Sequence, residues 1–358
     1  VNAKDEAIHG VPQHEGLAAR WNTVRYDAEK SAAGGHVESY FLKLNDPEGR
    51  RALWLKATIL ARTSKSHGGA SASAESWAIA FDREGRHVAV KDTTPLAAGA
   101  LTSQASARFG PSGLDANVCN LQLSPGRAVG SVGEGKDRIS FDLRFTMGAP
   151  PLIPFPSERM YETALPSSKL VSPHPDSCFT GTYTAGGQTV EVNGWHGMQG
   201  HNWGTRHAQL YAWCHVNQWD NHEDLVLEGV TARVLAGPIL APPLTVLCVR
   251  ARGVRYDFNG PLTLLRARGH IDGLRKWRFR AQNGLAQISG ELFAETSDFV
   301  GLTYENPDGK ITYCLNSKIA RGRMRLSVKG KPDLDVITRA AALEIGTKDA
   351  RHGVTMLA

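Results

Sequence analysis

The chain has 358 residues, 41% of them hydrophobic and 21% charged, a balance that excludes disordered, collagenous and fibrous classes and leaves room for about two globular domains. Formal charge is +6, from 41 Lys and Arg against 35 Asp and Glu, yet the basic residues are scattered and no recognition motif accompanies them. Nucleic acid is therefore not expected as a partner, while weak peripheral contact with an anionic membrane stays open.

No apolar run approaches the roughly 18 residues of a spanning helix. The start, VNAKDEAIHGVPQHEG, has neither an apolar h-region nor an Arg-rich amphipathic face, so a soluble, untargeted, cytoplasmic protein is expected. Five cysteines (119, 178, 214, 248 and 314) never stand at CxxC spacing, and the count is odd. A reducing compartment with small buried thiols follows.

Period-two segments dominate in chain order. HVESYFLKL, RALWLKATIL, ESWAIAFD, HVAVK and RISFDLRF come first, with the turns NDPEGR and DREGR between neighbours. After them come QLYAWCHVNQW, DLVLEGVTARV, LTVLCVRA, WRFRA, ISGELFAE, GLTYEN, KITYCLNSKI and MRLSVKG. Short Gly-, Asp- and Asn-containing connections predict antiparallel hairpins. Only ITRAAALEIGTK (337–348) has weak helical character, and it also fits a strand. Seven of the 18 prolines fall between Pro150 and Pro175, a density that interrupts a central strand. The expected architecture is all-β, with two tandem antiparallel barrel or sandwich domains at 20–150 and 176–358 and a proline-rich linker at 151–175.

Residues 194–222, GWHGMQGHNWGTRHAQLYAWCHVNQWDNH, hold five of the 13 histidines and four of the eight tryptophans. In a strand over QLYAWCHVNQWD, alternation sends Gln209, Tyr211, Trp213, His215, Asn217 and Trp219 to one face and Leu210, Ala212, Cys214 and Val216 to the other. The aromatic face fits the wall of a pocket for a mostly apolar ligand, with His215 and Asn217 as polar points. The alternative is an amphipathic surface or a domain interface, with the imidazole hydrogen-bonded to backbone. Gly197, Gly200 and Gly204 frame His201, Asn202 and Trp203, which reads as a shaped loop or bulge leading into that strand. His201 is either a proton carrier near neutral pH or a side chain that fixes the bulge. Glu228, among Val226, Val230, Ala232 and Val234, is the best single acid candidate because desolvation should raise its pKa; an exposed or paired carboxylate is the alternative. Glu38 with Tyr40, Glu75 with Trp77 and Lys56 with Trp54 show acid or base beside an aromatic, and any of them completes the pocket if the halves pack face to face. No HxH, HExxH or Gly-rich phosphate loop occurs, so neither metal nor cofactor is expected.

The segments HNWG (201–204), HAQLYAWCHVNQWD and GLTYENPDGKITYCLNSKIARGRMRL, with ESYFLKLNDPEGRRALWLKATIL upstream, resemble the superfamily of carotenoid 1,2-hydratases, AttH-like proteins and tocopherol cyclases. The resemblance implies a pair of lipocalin-like β-barrels with a hydrophobic cavity, as in fungal lipocalin-like Diels-Alderases. It also implies polyprenoid or similarly apolar substrates and alkene protonation followed by water capture or ring closure. Versions of the motif with an acidic residue before Asn-Trp-Gly differ from this chain, which has Gln199, Gly200 and His201 there.

Two functions follow. In one, a cofactor-free isomerase, cyclase or hydratase of a terpenoid or polyketide-like molecule uses His201, Glu228 and His215 for catalysis. Its substrate site then comprises Trp195, Asn202, Trp203, Tyr211, Trp213, Asn217 and Trp219. In the other, the same cavity carries a lipid or pigment without chemistry. The sequence sets no oligomeric state.

Overall fold

In a computed structural model, which describes residues 11–64, 71–96, 107–111, 113–233, 235–236 and 239–358, the chain forms two large, curled, nearly barrel-like antiparallel sheets. The first contains β1 (His36–Asn45), β2 (Arg51–Arg62), β3 (Ser71–Asp82), β4 (Val88–Pro95), β5 (Ala107–Phe109), β6 (Ala116–Val118), β7 (Leu121–Ser124), β8 (Arg127–Val132), β9 (Ile139–Phe145), β10 (Ser168–Ala185) and β11 (Gln188–Gly204). Their order is β4-β3-β2-β1-β11-β10-β9-β8-β7-β6-β5. Curling brings Leu42, Leu44, Leu53 and Leu55 onto Leu121, Leu123, Leu143 and Phe179 in one core.

The second sheet contains β12 (Leu210–Val216), β13 (Leu225–Arg233), β16 (Leu244–Ala251), β17 (Val254–Phe258), β18 (Arg268–Asp272), β19 (Lys276–Gln282), β20 (Ala286–Phe293), β22 (Ile311–Val328) and β23 (Leu334–Thr347), with β21 (Val300–Glu305) on β22. A small hairpin, β14 (Leu235–Ala236) and β15 (Ile239–Leu240), lies between β13 and β16 in the chain. The strand order is β17-β16-β13-β12-β23-β22-β20-β19-β18. Its core gathers Ala212, Cys214, Val216, Leu247, Phe258 and Trp277. Helices are short: α1 (Val11–Trp21), α2 (Ala28–Gly34, capped by Asp27), α3 (Arg159–Glu162) and α4 (Pro261–Arg266). Among the described residues no helix is long and apolar enough to cross a membrane.

The sheets change over between Gly204 and Leu210, not within 151–175, because β10 and β11 complete the first sheet. β10 tolerates Pro173 and Pro175 by breaking register between Val171 and His174 and again between His174 and Ser177, where a residue without an N–H costs no ladder bond. The segment GMQGHNWG is regular strand, and so is ITRAAALEIGTK. KITYCLNSKI and MRLSVKG join into one strand, β22, that bends at register shifts between Ser317 and Gly322. Val234 lies outside the described residues.

The two sheets pack face to face. Phe41, Trp54, Trp77, Phe81 and Met198 from the first meet Trp213, Leu302, Tyr304, Cys314 and Ile319 from the second. Each such side chain, once fully buried, contributes roughly 1.5–3 kcal/mol. Polar clasps fix the relative position. Arg62 grips Glu305 with two bonds of 2.6 and 2.7 Å. Asn45 donates to the Lys318 carbonyl at 2.6 Å. Arg83, from the β3–β4 turn, pairs with Asp298 at 3.0 Å and donates to the carbonyls of Ile319 and Arg339. Replacing Arg83 by Ala leaves Asp298 and these carbonyls without their shared donor, and should lower unfolding free energy by roughly 2–4 kcal/mol. Urea denaturation of the variant checks this; a change within error of zero would show that the clasp contributes nothing.

Candidate functional site

A cavity of about 260 Å³ opens where the two sheets meet. Phe41 and Trp54 reach it from the first sheet, and Tyr211, Trp213, Val230 and Val246 from the second. Alternation along β12 explains the wall: Tyr211 and Trp213 face the cavity, while Ala212, Cys214 and Val216 turn into the second core. Two of the rings lie flat across the neighbouring strand, opposite a glycine. Phe41 pairs with Gly200 and Tyr211 with Gly346, and a Cβ on either glycine would collide with the ring. Those glycines serve close packing of aromatic rings rather than a bulge.

The polar groups of the cavity are few. Lys56 projects from β2 and lies 4.0 Å from the centre of the Tyr304 ring, with the Trp54 and Trp77 rings at 5.6 and 5.4 Å. Burial lowers its pKa, opposed by Glu344 and Glu75. Glu344, on β23, lines the cavity and accepts from Lys318 at 2.6 Å, Asn316 at 3.3 Å and the Cys314 thiol at 3.6 Å. Tyr211 and Tyr304 are pushed well above the usual phenol range by burial, so both remain protonated. Burial likewise drives the Cys314 thiol far up, which leaves it a proton donor and not a nucleophile. His207 stands half-buried on Tyr304, with ring centres 5.2 Å apart. Its Nδ1 meets the Asn306 Oδ1 at 3.0 Å. Burial and the nearby Lys56 drive its pKa down to about 4, so the imidazole is neutral at pH 7. Among the described residues no three His, Cys, Asp or Glu side chains converge as a metal site.

The residues singled out from sequence divide into three groups. Asn202, Tyr211 and Trp213 line the cavity, as do Lys56 and Trp54. Glu228, His215 and Asn217 are buried behind the wall. Glu228 Oε1 accepts from the Trp213 indole at 3.3 Å, and its Oε2 has no hydrogen-bond partner among the described residues. Asn217 accepts from Lys43 at 3.1 Å and donates to Asp176 at 2.9 Å and to the Gly197 carbonyl at 2.7 Å. His215 sits across from Glu228 in the ladder, and among the described residues neither ring nitrogen has a well-formed hydrogen bond.

The third group lies elsewhere. Trp195 packs on Tyr183 in the first core, and Trp203 stacks among Trp21, Tyr161 and Val171. Trp219 belongs to the second core because β12 ends at Val216 and the alternation stops with it. His201 is fully buried beneath α1: Nδ1 donates to the Trp21 carbonyl at 2.7 Å and Nε2 to Glu38 at 2.9 Å, with its ring stacked 4.3 Å from Tyr40. Burial would raise the Glu38 carboxyl, but hydrogen bonds from His201 and His36 overcome it and hold the group well below the usual carboxylate range. This hydrogen-bonded cluster ties α1 to the first sheet. Glu344 carried no functional signal in the sequence, since an isolated acid in an Ala-rich strand reads as an ordinary surface position; His207 and Tyr304 fall in segments singled out there, but neither belongs to the expected site.

A family model described as tocopherol cyclase-like matches residues 35–347. An uncharacterized protein of Mycobacterium tuberculosis (strain ATCC 25618 / H37Rv) is 27% identical over 317 residues, which cover 87% of this chain and 88% of that protein. Among solved structures, a protein assigned as AttH from Nitrosomonas europaea superposes with a TM-score of 0.54 at 13% identity, covering 91% of this chain and 97% of that one. CghA in complex with Sch210972 gives 0.55 at 12% identity, covering 88% and 89%. At these identities the structural likeness is one of fold.

Burial pushes the Glu228 carboxyl up to about 7, against the nearby Ser172 hydroxyl and the Trp213 indole. In the unfolded chain the same group titrates near about 4.3. Below that pH both states are protonated and its contribution is intact; as pH rises the unfolded state ionises first, and stability falls until the folded carboxyl titrates. The stability of the wild type relative to Glu228→Gln should therefore decline by about 1.4 kcal/mol per pH unit between about pH 4.5 and 7, then level off. Urea titrations of both proteins across that range test it, and a pH-independent difference would remove the buried neutral acid.

Proposed function

The chain belongs to the tocopherol cyclase-like family, and from that premise we propose a cofactor-independent enzyme that isomerises, cyclises or hydrates a hydrophobic terpenoid or polyketide-like molecule by acid–base chemistry between the sheets. The observation that carries this reading is the cavity itself: apolar and aromatic walls lined also by the carboxylate of Glu344 and by two ammonium groups, Lys56 enclosed by aromatic rings and Lys169 donating to the Thr163 carbonyl at 2.7 Å.

Lys56 donates to a substrate oxygen, and desolvation makes its proton easier to give up than that of an exposed lysine. Glu344, held in place by Lys318 and Asn316, takes the proton released at carbon or hydroxyl. Tyr211 and Tyr304 keep their O–H groups and donate to an oxyanion as charge develops. The faces of Trp54 and Trp213 favour cationic character in the bound chain. In an isomerisation or ring closure the proton removed by Glu344 balances the one delivered by Lys56; a hydration adds one water across the double bond.

Incubating the wild type and Glu344→Gln with a hydrophobic-metabolite extract, followed by mass spectrometry, tests the assignment. New product should form with the wild type and fall by about 100-fold or more in the variant. Affinity for an apolar fluorophore should be retained in both. Undiminished product formation in Glu344→Gln would reject the role of the carboxylate. Ligand that co-purifies with the wild type and is never converted would make the protein a carrier.

A further inference from the structure

The three most exposed large apolar side chains among the described residues are Leu165 at 76%, Leu265 at 73% and Leu262 at 71%. All three stand at one place. Leu165 precedes Pro166, and Leu262 and Leu265 flank Leu264; Pro166 and Leu264 both line the cavity. Half-exposed Leu244 lines the same opening. In α4 the buried Thr263 turns inward, which leaves Leu262 and Leu265, three residues apart, together on the outer side. Single exposed leucines are ordinary, but a group around one opening is a patch.

The charges beside this patch are mainly positive. Arg159, Arg206, Arg266 and Arg268 are exposed next to lining residues or α4. Of the acids there, Glu158 is paired with Arg20, and Glu162 is the other. Arg268, opposite Arg280 across β18 and β19, donates to the carbonyls of Leu265 and Ala267 at 2.8 and 2.9 Å and so holds the end of α4.

We propose that this rim docks on the surface of an anionic phospholipid bilayer. The leucines enter the boundary between headgroups and acyl chains, the arginines meet lipid phosphates, and the cavity opens towards the apolar phase. A hydrophobic molecule then moves between bilayer and cavity without crossing water. Only this last step rests on the function proposed above; the docking surface stands on exposure and charge.

The test is co-sedimentation with phosphatidylcholine vesicles, with and without phosphatidylglycerol, at low and high salt and without substrate. The wild type should pellet with phosphatidylglycerol vesicles at low salt. Binding should fall at least about fivefold in Leu165→Ser/Leu262→Ser/Leu265→Ser, and similarly in the charge reversal Arg206→Glu/Arg266→Glu, which carries the test if the leucine variant misfolds. Leu285→Ser, a comparably exposed leucine in the β19–β20 turn, should bind as the wild type does. The proposal is overturned if the wild type stays in solution, if the charge reversal binds undiminished, or if Leu285→Ser loses as much as the triple variant. It also fails if light scattering shows a wild-type dimer that the triple variant dissolves, since a second copy then covers the patch. Failure here leaves the Glu344→Gln comparison intact, and failure of that comparison leaves vesicle binding intact.

Discussion

Strands β1 and β2 bury nearly every residue on both faces. A sheet that curls around its own core satisfies one face only, so the outer face, with Phe41, Trp54 and Trp77, requires a second apolar surface. β12, β22 and β23 supply it, and the cavity is the place where this packing is incomplete. The fold and the site therefore share one cause. Side chains that hold the sheets together continue without a break into the walls that would meet a ligand.

The same contact surface carries an unusual number of ionisable groups away from water. Lys43 and Lys318 are fully buried, and burial, with Lys318 nearby, brings the Lys43 pKa down to about 7. Such groups are costly to desolvate and persist where partners are near. Asn217 links Lys43 to Asp176 and the Gly197 carbonyl, while Glu344 receives Lys318. The polar groups thus form two clusters along the seam between the sheets, of which the Lys318–Glu344 pair reaches the cavity.

Much of the strand pattern was legible because alternation and turn residues are local. β1, β2, β13, β16 and β19 follow their apolar runs closely. The inward turn of Tyr211 and Trp213 followed from parity, and the raised carboxyl of Glu228 from its apolar neighbours. What escaped was non-local. Prolines that look like a linker lie beside and inside β10 because register shifts absorb them. His201, in the most distinctive motif, faces Glu38 and α1 rather than the cavity, a choice fixed by which strand lies next to β11. Glu344 acquires its setting from β22, many residues away in the chain, and nothing adjacent to it announces that.

The glycines behind Phe41 and Tyr211 have one further implication. Each ring rests where a side chain on the next strand would otherwise stand, one on either side of the seam. The bore of the chamber is thus set from behind its walls, by two positions that contribute no side chain to its surface. Relatives with larger residues there would tilt the rings inward and admit slimmer guests, so selectivity by size can change while every lining residue stays the same.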